Sequence, residues 1–392
     1  MTVTESPRTA APSSALLITP SPTPWRRIAL LALLSTLTMA TLVLWDVNRT
    51  GAHPANLLQG MTNGPAYALL HDDFPDVEFL PGLGLDGQQY YAMARYPAHF
   101  DQAAESLDRP IYRWQRPLFP WLARVVHPTS GGGGGLVAAF FAVGVAALLA
   151  GGIAAGALST TLGGRAWPAA LFPLLPGAYM SLRVTVSDSL AMALVLVALA
   201  LSAHRRAWLA VVVACLAALT RETTVIVFVG WALARRSRAS VLLAVAPIAT
   251  AGMWAVWLRL TLPASPPEKV DELGLPFVGL LGAARDHWLE GTDRLGMLST
   301  VAALVLTAVA LGRVTRTHPL APALALSLAF VSLMNHNVVG IDFGATRSTM
   351  PLAILALLCL ATRQDRVDGS PASHGDAGMV GPGLASGGPT SR

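Results

Sequence analysis

AWLAVVVACLAALTRETTVIVFVGWALA, residues 207–234, is apolar from end to end except for Thr220-Arg221-Glu222-Thr223 at its middle. As one helix it would be about 42 Å long at 1.5 Å per residue, well beyond the ~30 Å of a bilayer's hydrocarbon core. It would also hold Arg221 and Glu222 at mid-membrane, where a charge costs at least about 2.5 kcal/mol. Read as a hairpin of two short spans, 207–219 and 223–234, it carries Arg221-Glu222 to one membrane face. It then returns Arg235, Arg236 and Arg238 to the other face.

The hairpin sorts the remaining charges. One set of connecting segments is Arg-rich and almost free of acids: Arg26-Arg27, Arg165, Arg205-Arg206, Arg235-Arg236 with Arg238, Arg313 with Arg316, and Arg363 with Arg366. The positive-inside rule places this set in the cytoplasm. The other set mixes acids, arginines and His, and falls outside: Asp86, Arg113, Arg116, Asp188, Arg221-Glu222, His336, Asp342 and Arg347. The reading is a multi-pass cell-membrane protein with its chemistry on the extracytoplasmic side.

Composition agrees with that class. Of 392 residues, 53% are hydrophobic and 12% charged, far from a soluble average. The net charge of +5 comes from cytoplasmic arginines beside anionic lipid, so a nucleic-acid partner is not inferred. Cys215 and Cys359 lie in apolar runs without metal-ligand spacing and read as small buried hydrophobes.

Ten apolar runs emerge: 28–45, 136–158, 166–182, 187–203, 207–219, 223–234, 240–260, 297–312, 319–334 and 349–362. The expected fold is therefore an all-α integral membrane protein of about ten transmembrane helices, with a polytopic domain over 26–362. Residues 1–25 and 363–392 are expected to be disordered cytoplasmic ends. The outer segments are then 46–135, 183–186, 220–222, 261–296 and 335–348. The first is the longest, with short helices expected in it. Its Gly131–Gly135 run reads as a flexible link into the second span.

Within that loop, Leu83-Gly-Leu-Asp86-Gly87-Gln88-Gln89-Tyr90-Tyr91-Ala-Met-Ala-Arg95 is the most specific stretch. Asp86-Gly87 is a turn signal, and a short amphipathic helix is expected after it. About twenty residues on comes Tyr112-Arg113-Trp114-Gln115-Arg116-Pro117-Leu118-Phe119-Pro120-Trp121. Together the two stretches resemble the first outer loop of GT-C membrane glycosyltransferases. They are most similar to PIG-V-type mannosyltransferases and to bacterial proteins of cell-surface glycopolymer formation. The likeness is close over 84–122. It extends loosely to Ser187-Asp188-Ser189, to Leu219–Thr223 and to the loop ending in Arg347, and it departs at Leu85 and Gln89.

The resemblance implies a GT-C-like fold. It also implies transfer of a sugar from a polyprenyl-phosphate-linked donor to a glycan, lipid or protein acceptor of the envelope, with Asp86 at the reaction centre. The chemistry suits these residues. A carboxylate within reach takes the proton of a poorly nucleophilic hydroxyl. Cations bind the phosphate leaving group as its charge develops, and the planar fork of Arg pairs with phosphate at two points. Arg113, Arg116, Arg221 and Arg347 are the phosphate-binding candidates. Tyr90, Tyr91, Trp114 and Trp121 are candidates to pack on a sugar or a polyprenyl chain. Gln88, Glu222, His336 and Asp342 are further candidates to contact substrate.

Plainer roles stand beside these. Asp86 can cap the helix that follows it, and Ser187-Asp188 is favoured as an N-cap. Arg221-Glu222 can be a mutual ion pair closing the hairpin, and Arg113 and Arg116 can snorkel at headgroups. Asp72-Asp73 reads as a solvated acidic turn and not as a metal pair. No divalent-ion site is defined, and a divalent cation is left open as a cofactor. Two other classes compete with the enzyme: a transporter or flippase, and a non-catalytic scaffold of an envelope assembly system. Transporters favour internal repeats and midplane polar sites, and neither is read here.

Overall fold

Residues 25–51, 53–129, 131–263, 273–289, 293–315 and 317–362 are described by the computed structural model. The expected disordered ends, apart from Trp25, lie outside the described residues, as do Arg316, Arg363 and Arg366.

Helix α1 (Trp25–Arg49) leads into a long loop that carries five short helices: α2 (Tyr67–Asp73), α3 (Asp86–Arg95), α4 (Phe100–Ala104), α5 (Pro110–Trp114) and α6 (Leu118–Val126). The bundle continues with α7 (Gly134–Thr161), α8 (Pro168–Leu171), α9 (Pro176–Arg183), α10 (Asp188–Ala203), α11 (Ala207–Thr220), α12 (Val225–Arg235) and α13 (Arg238–Thr261). It closes with α14 (Val278–Ala283), α15 (Arg294–Arg313), α16 (Ala321–Ser332), α17 (His336–Val339) and α18 (Asp342–Ala361). No strand occurs among the described residues.

Five helices, α1, α7, α13, α15 and α18, are long and apolar enough to cross a membrane. Helices α10, α11 and α16 are apolar but shorter. Leu30, Leu34 and Leu37 on α1, Val245, Met253 and Val256 on α13, and Leu298, Val301 and Val305 on α15 are all exposed. Such open apolar faces suit a lipid surrounding. Between helices, small residues allow close approach. Gly156 of α7 sits against Ala169 and Ile28, and Gly230 of α12 lies against the backbone of Ala323.

Two expected spans take a different form. The run 166–182 is not one helix. Pro168, Pro173 and Pro176 lack the amide that an unbroken helix needs, and the chain forms α8 and α9 with a non-helical step between them. The pair still runs the length of the bundle, because Ala169 meets Ile28 near the start of α1 while Arg183 bonds Asp46 near its end. The last run begins at Asp342, not at 349, so Arg347 lies in the second turn of α18 and not in a loop.

The 207–234 stretch is two helices joined by a single 3-10 turn at Glu222–Thr224. Helix α10 serves as a ruler for it. At the start of α10 the Ser187 hydroxyl donates to the Thr220 carbonyl at 3.3 Å. Toward its end the Ser202 oxygen accepts from Nε1 of Trp231 at 3.2 Å. The chain therefore goes up along α11 and comes back along α12.

The other end of the bundle gathers the arginine-rich connections. Gly164 bridges Thr362, Thr161 meets His204, and His318 meets Thr362. Arg235 lies over the Trp231 ring at 4.8 Å. The start of α1 and the end of α18 are at this same end.

The glycine run before α7 is pinned, where the sequence suggested a loose link. The Gly133 amide donates to the Tyr91 hydroxyl at 2.5 Å, and a Cβ on Gly132 would meet the Asp73 carboxylate and that hydroxyl. The Tyr91 hydroxyl in turn donates to Oδ2 of Asp73 at 2.6 Å, and Nε of Arg95 donates to the same oxygen at 3.2 Å. This knot ties α2 and α3 to the start of α7. Asp73 is thus a bonded partner and not a solvated turn residue.

Candidate functional site

Asp86 is the first residue of α3, and Leu85 before it is extended and makes no side-chain cap. The Asp86 carboxylate is turned to two arginines. Nη1 of Arg113 donates to Oδ1 at 2.6 Å, and Nη1 of Arg347 donates to Oδ2 at 3.2 Å. Helix α3 can hold Asp86 here because Gly87 packs against the backbone of Leu58 and Val184, too close for any side chain.

The network continues on both sides. Behind Arg113, Asp108 accepts from Nε at 2.8 Å and from Nη2 at 2.7 Å. Behind Arg347, Asp188 accepts from Nε at 2.6 Å through Oδ2, and its Oδ1 pairs with Arg221. A neighbouring pair joins Arg116 to Glu222, with Nε to Oε2 at 3.0 Å and Nη2 to Oε1 at 2.6 Å. Arg116 also donates to the Tyr112 hydroxyl at 2.8 Å. Four guanidiniums and four carboxylates thus meet at one end of the bundle, drawn from the first loop, the α11–α12 turn, α10 and α18.

Charge pairing governs protonation here. Burial pushes the Asp86 carboxyl up, but Arg113, Arg347 and Arg116 outweigh it and hold the group well below the usual carboxylate range. Burial likewise opposes ionisation of Glu222, and Arg116 prevails to bring it to about 2. Asp108 is lowered against burial by its bonds from Arg113. Tyr91 goes the other way, raised by burial and then by Asp73.

A cleft opens beside the network between α10, α12, α16 and α18. Its head is formed by Asp188, Arg221 and Arg347. Its walls are apolar, with Val195, Val227, Phe330, Val331 and Leu352 among them.

Several expected contacts to substrate have other roles in the structure. Gln88 is fully buried and donates to the Leu83 carbonyl at 2.7 Å. Tyr90 is buried with its hydroxyl 3.0 Å from Oγ of Ser187, and Tyr91 belongs to the Asp73 knot. Trp114 is fully buried against Phe100, and Nε1 of Trp121 donates to the Pro97 carbonyl at 3.3 Å. Asp342 accepts from the Gly296 amide at 2.5 Å, while Oδ1 of Asp293 accepts from the Asp342 amide at 3.0 Å. This reciprocal capping joins the starts of α15 and α18. His336 begins α17 and packs on Gly282.

Arg221 and Glu222 do not pair with each other across the hairpin. The extended backbone at Arg221 sends it to Asp188 and leaves Glu222 to Arg116. Asp188 is not a cap, since Ser187 makes no side-chain cap bond and the Asp188 carboxylate is held by two arginines. Asp188 and Asp108 are the members that sequence reasoning missed. The hints for Asp188 were an acid opening an apolar run at the same membrane face as Arg221 and the loose resemblance at Ser187-Asp188-Ser189. Among the described residues, no group of three or more His, Cys, Asp or Glu is placed to hold a metal ion.

No family model, curated protein or solved structure matches the chain.

Proposed function

We propose that the protein is a membrane glycosyltransferase of GT-C type. It moves a sugar from a polyprenyl-phosphate-linked donor to an envelope glycan, lipid or protein acceptor on the outer face of the cell membrane. The observation that carries this reading is the cleft. A cleft with apolar walls, headed by Arg221, Arg347 and Asp188, suits an amphiphile with a hydrocarbon tail and an anionic head, and Asp86 stands one arginine away from that head. The arginine-rich connections at the opposite end support an outward-facing site through the positive-inside rule.

In this reading Arg221 and Arg347 bind the donor phosphate, more strongly as its charge develops. The acceptor oxygen bonds to the anomeric carbon, the carbon–oxygen bond to phosphate breaks, and its electron pair leaves on the phosphate. The hydroxyl proton passes to Asp86. A carboxylate held by two arginines is a weak base. As the phosphate draws Arg347 away, Asp86 retains Arg113, whose charge Asp108 already balances, and its basicity rises.

The test is release of polyprenyl phosphate from a sugar-charged polyprenyl-phosphate donor by the purified protein. Arg221→Ala and Arg347→Ala should each weaken use of the donor by about 1.5–3 kcal/mol, the loss of a charge-assisted contact. Lysine at either position should rescue only in part, since the planar fork is lost. Unchanged donor kinetics in both alanine variants would exclude the phosphate assignment.

A further inference from the structure

Arg113 and Arg116 each face one carboxylate through two nitrogens, those of Asp108 and Glu222. Asp86 and Asp188 behave differently, each shared between two arginines, and of these two carboxylates Asp188 is the one that lines the cleft. Asp188 divides its oxygens between two cations, Oδ2 to Arg347 and Oδ1 to Arg221. Its side chain is 3% exposed, and it lines the cleft together with both arginines. The three residues come from separate places: the first turn of α10, the extended residue that follows α11, and the second turn of α18. A phosphate group, with several acceptor oxygens, bridges two guanidiniums in the same manner.

We propose that Asp188 is the resident counter-ion of the anion site: its carboxylate holds Arg221 and Arg347 together while the cleft is empty, and the phosphate of the ligand takes its place. The assignment rests on reading the cleft as a phosphate site. The ligand chemistry is a phosphate ester, whether on a polyprenyl lipid or free in solution.

The consequence runs against intuition. Ligand affinity here is a difference, because phosphate must compete with Asp188 for the same two forks. Removing the carboxylate leaves buried Arg347 and half-buried Arg221 without their shared anion, which weakens the resting fold. It also removes the competitor. A variant without this charge should therefore be less stable alone yet bind phosphate more tightly. A carboxylate that merely clamps helices predicts lower stability with no gain in affinity.

The experiment is thermal melting of the purified full chain, parent and Asp188→Asn, with inorganic phosphate and separately with polyprenyl phosphate. Asp188→Asn should melt lower in phosphate-free buffer, recover on adding phosphate, and bind it about ten-fold more tightly than the parent, one charge-assisted contact's worth. Adding Arg347→Ala should abolish the recovery. Equal phosphate affinity in parent and Asp188→Asn overturns the proposal. If Asp188→Asn fails to fold, Asp188→Glu decides. Its longer carboxylate keeps the charge and intrudes on the cleft, so weaker phosphate binding supports the counter-ion role and unchanged binding overturns it. A response to inorganic phosphate with none larger to polyprenyl phosphate keeps the counter-ion role but overturns the lipid-donor reading. No response to either probe overturns both.

Discussion

Asp86 shows how one carboxylate can be read two ways and how its partners choose between them. An acid at the head of a short helix ordinarily closes onto the free amides of the first turn. Here Arg113 and Arg347 take both oxygens. Asp86→Asn keeps the size of the side chain but removes the charge between two arginines. Arg113 keeps Asp108 and Arg347 keeps Asp188, so the cost should be about 1–3 kcal/mol, below the 3–5 kcal/mol of a stranded buried charge. Sugar transfer should fall by roughly 10²–10⁴-fold, the usual contribution of a general base. Melting and transfer measured on the same preparation separate the two effects, and near-normal transfer would sink the catalytic assignment. The folded carboxyl lies below its ordinary value. Its contribution to stability is therefore complete above the ordinary carboxylate range and is lost as pH falls through and below it. Asp86→Asn should flatten that acid limb.

Elements around the site are held by contacts that their sequences only half announce. The knot of Asp73, Tyr91 and Gly133 fixes α3, and with it Asp86, against the start of α7. Two neighbouring glycines test it. Gly132→Ala drives a methyl into the Asp73 carboxylate and the Tyr91 hydroxyl, whereas Gly131 has open space around it. Gly132→Ala should cost about 1–3 kcal/mol, as overpacking does, and reduce transfer by displacing α3. Gly131→Ala should be close to neutral in melting temperature. Similar behaviour of the two would mean that the run is a loose link after all. The α15–α18 junction is a second such device, since Asp293 and Asp342 cap across it and leave Arg347 one turn further along, facing the network.

At the scale of the whole molecule the arrangement is polar in the literal sense. The acid–arginine network occupies one end of the bundle and the arginine-rich connections the other. The proposed orientation makes the network end extracytoplasmic. In a background with Cys215 and Cys359 replaced, cysteines introduced at Asp72, Glu105 and Arg285 should react with an impermeant thiol reagent on intact cells. Cysteines at Arg206 and Arg238 should react only after permeabilisation. All five are exposed positions. Labelling of Arg238→Cys from outside would reverse the orientation and with it the outer-face function.

The sequence alone determined the class and the hairpin. Apolar runs of given length, interrupted by Arg221-Glu222, leave few solutions once charge must avoid the hydrocarbon, and the α11–α12 turn follows from that local accounting. It also singled out Asp86, Arg113, Arg116, Arg221 and Arg347, through the resemblance carried by the motifs of the first loop and by the shorter stretches at Leu219–Thr223 and Arg347. The tertiary structure alone decided who pairs with whom. Arg221 and Glu222 are adjacent in sequence yet bond to Asp188 and Arg116, and Asp188 joins α10 to a residue 159 positions away. Pairing depends on which helix ends the packing brings to one level, and no local pattern encodes that distance. The same reason hid the burial of Gln88, Tyr90, Tyr91 and Trp114, whose polar atoms read as binding groups until the loop folded over them.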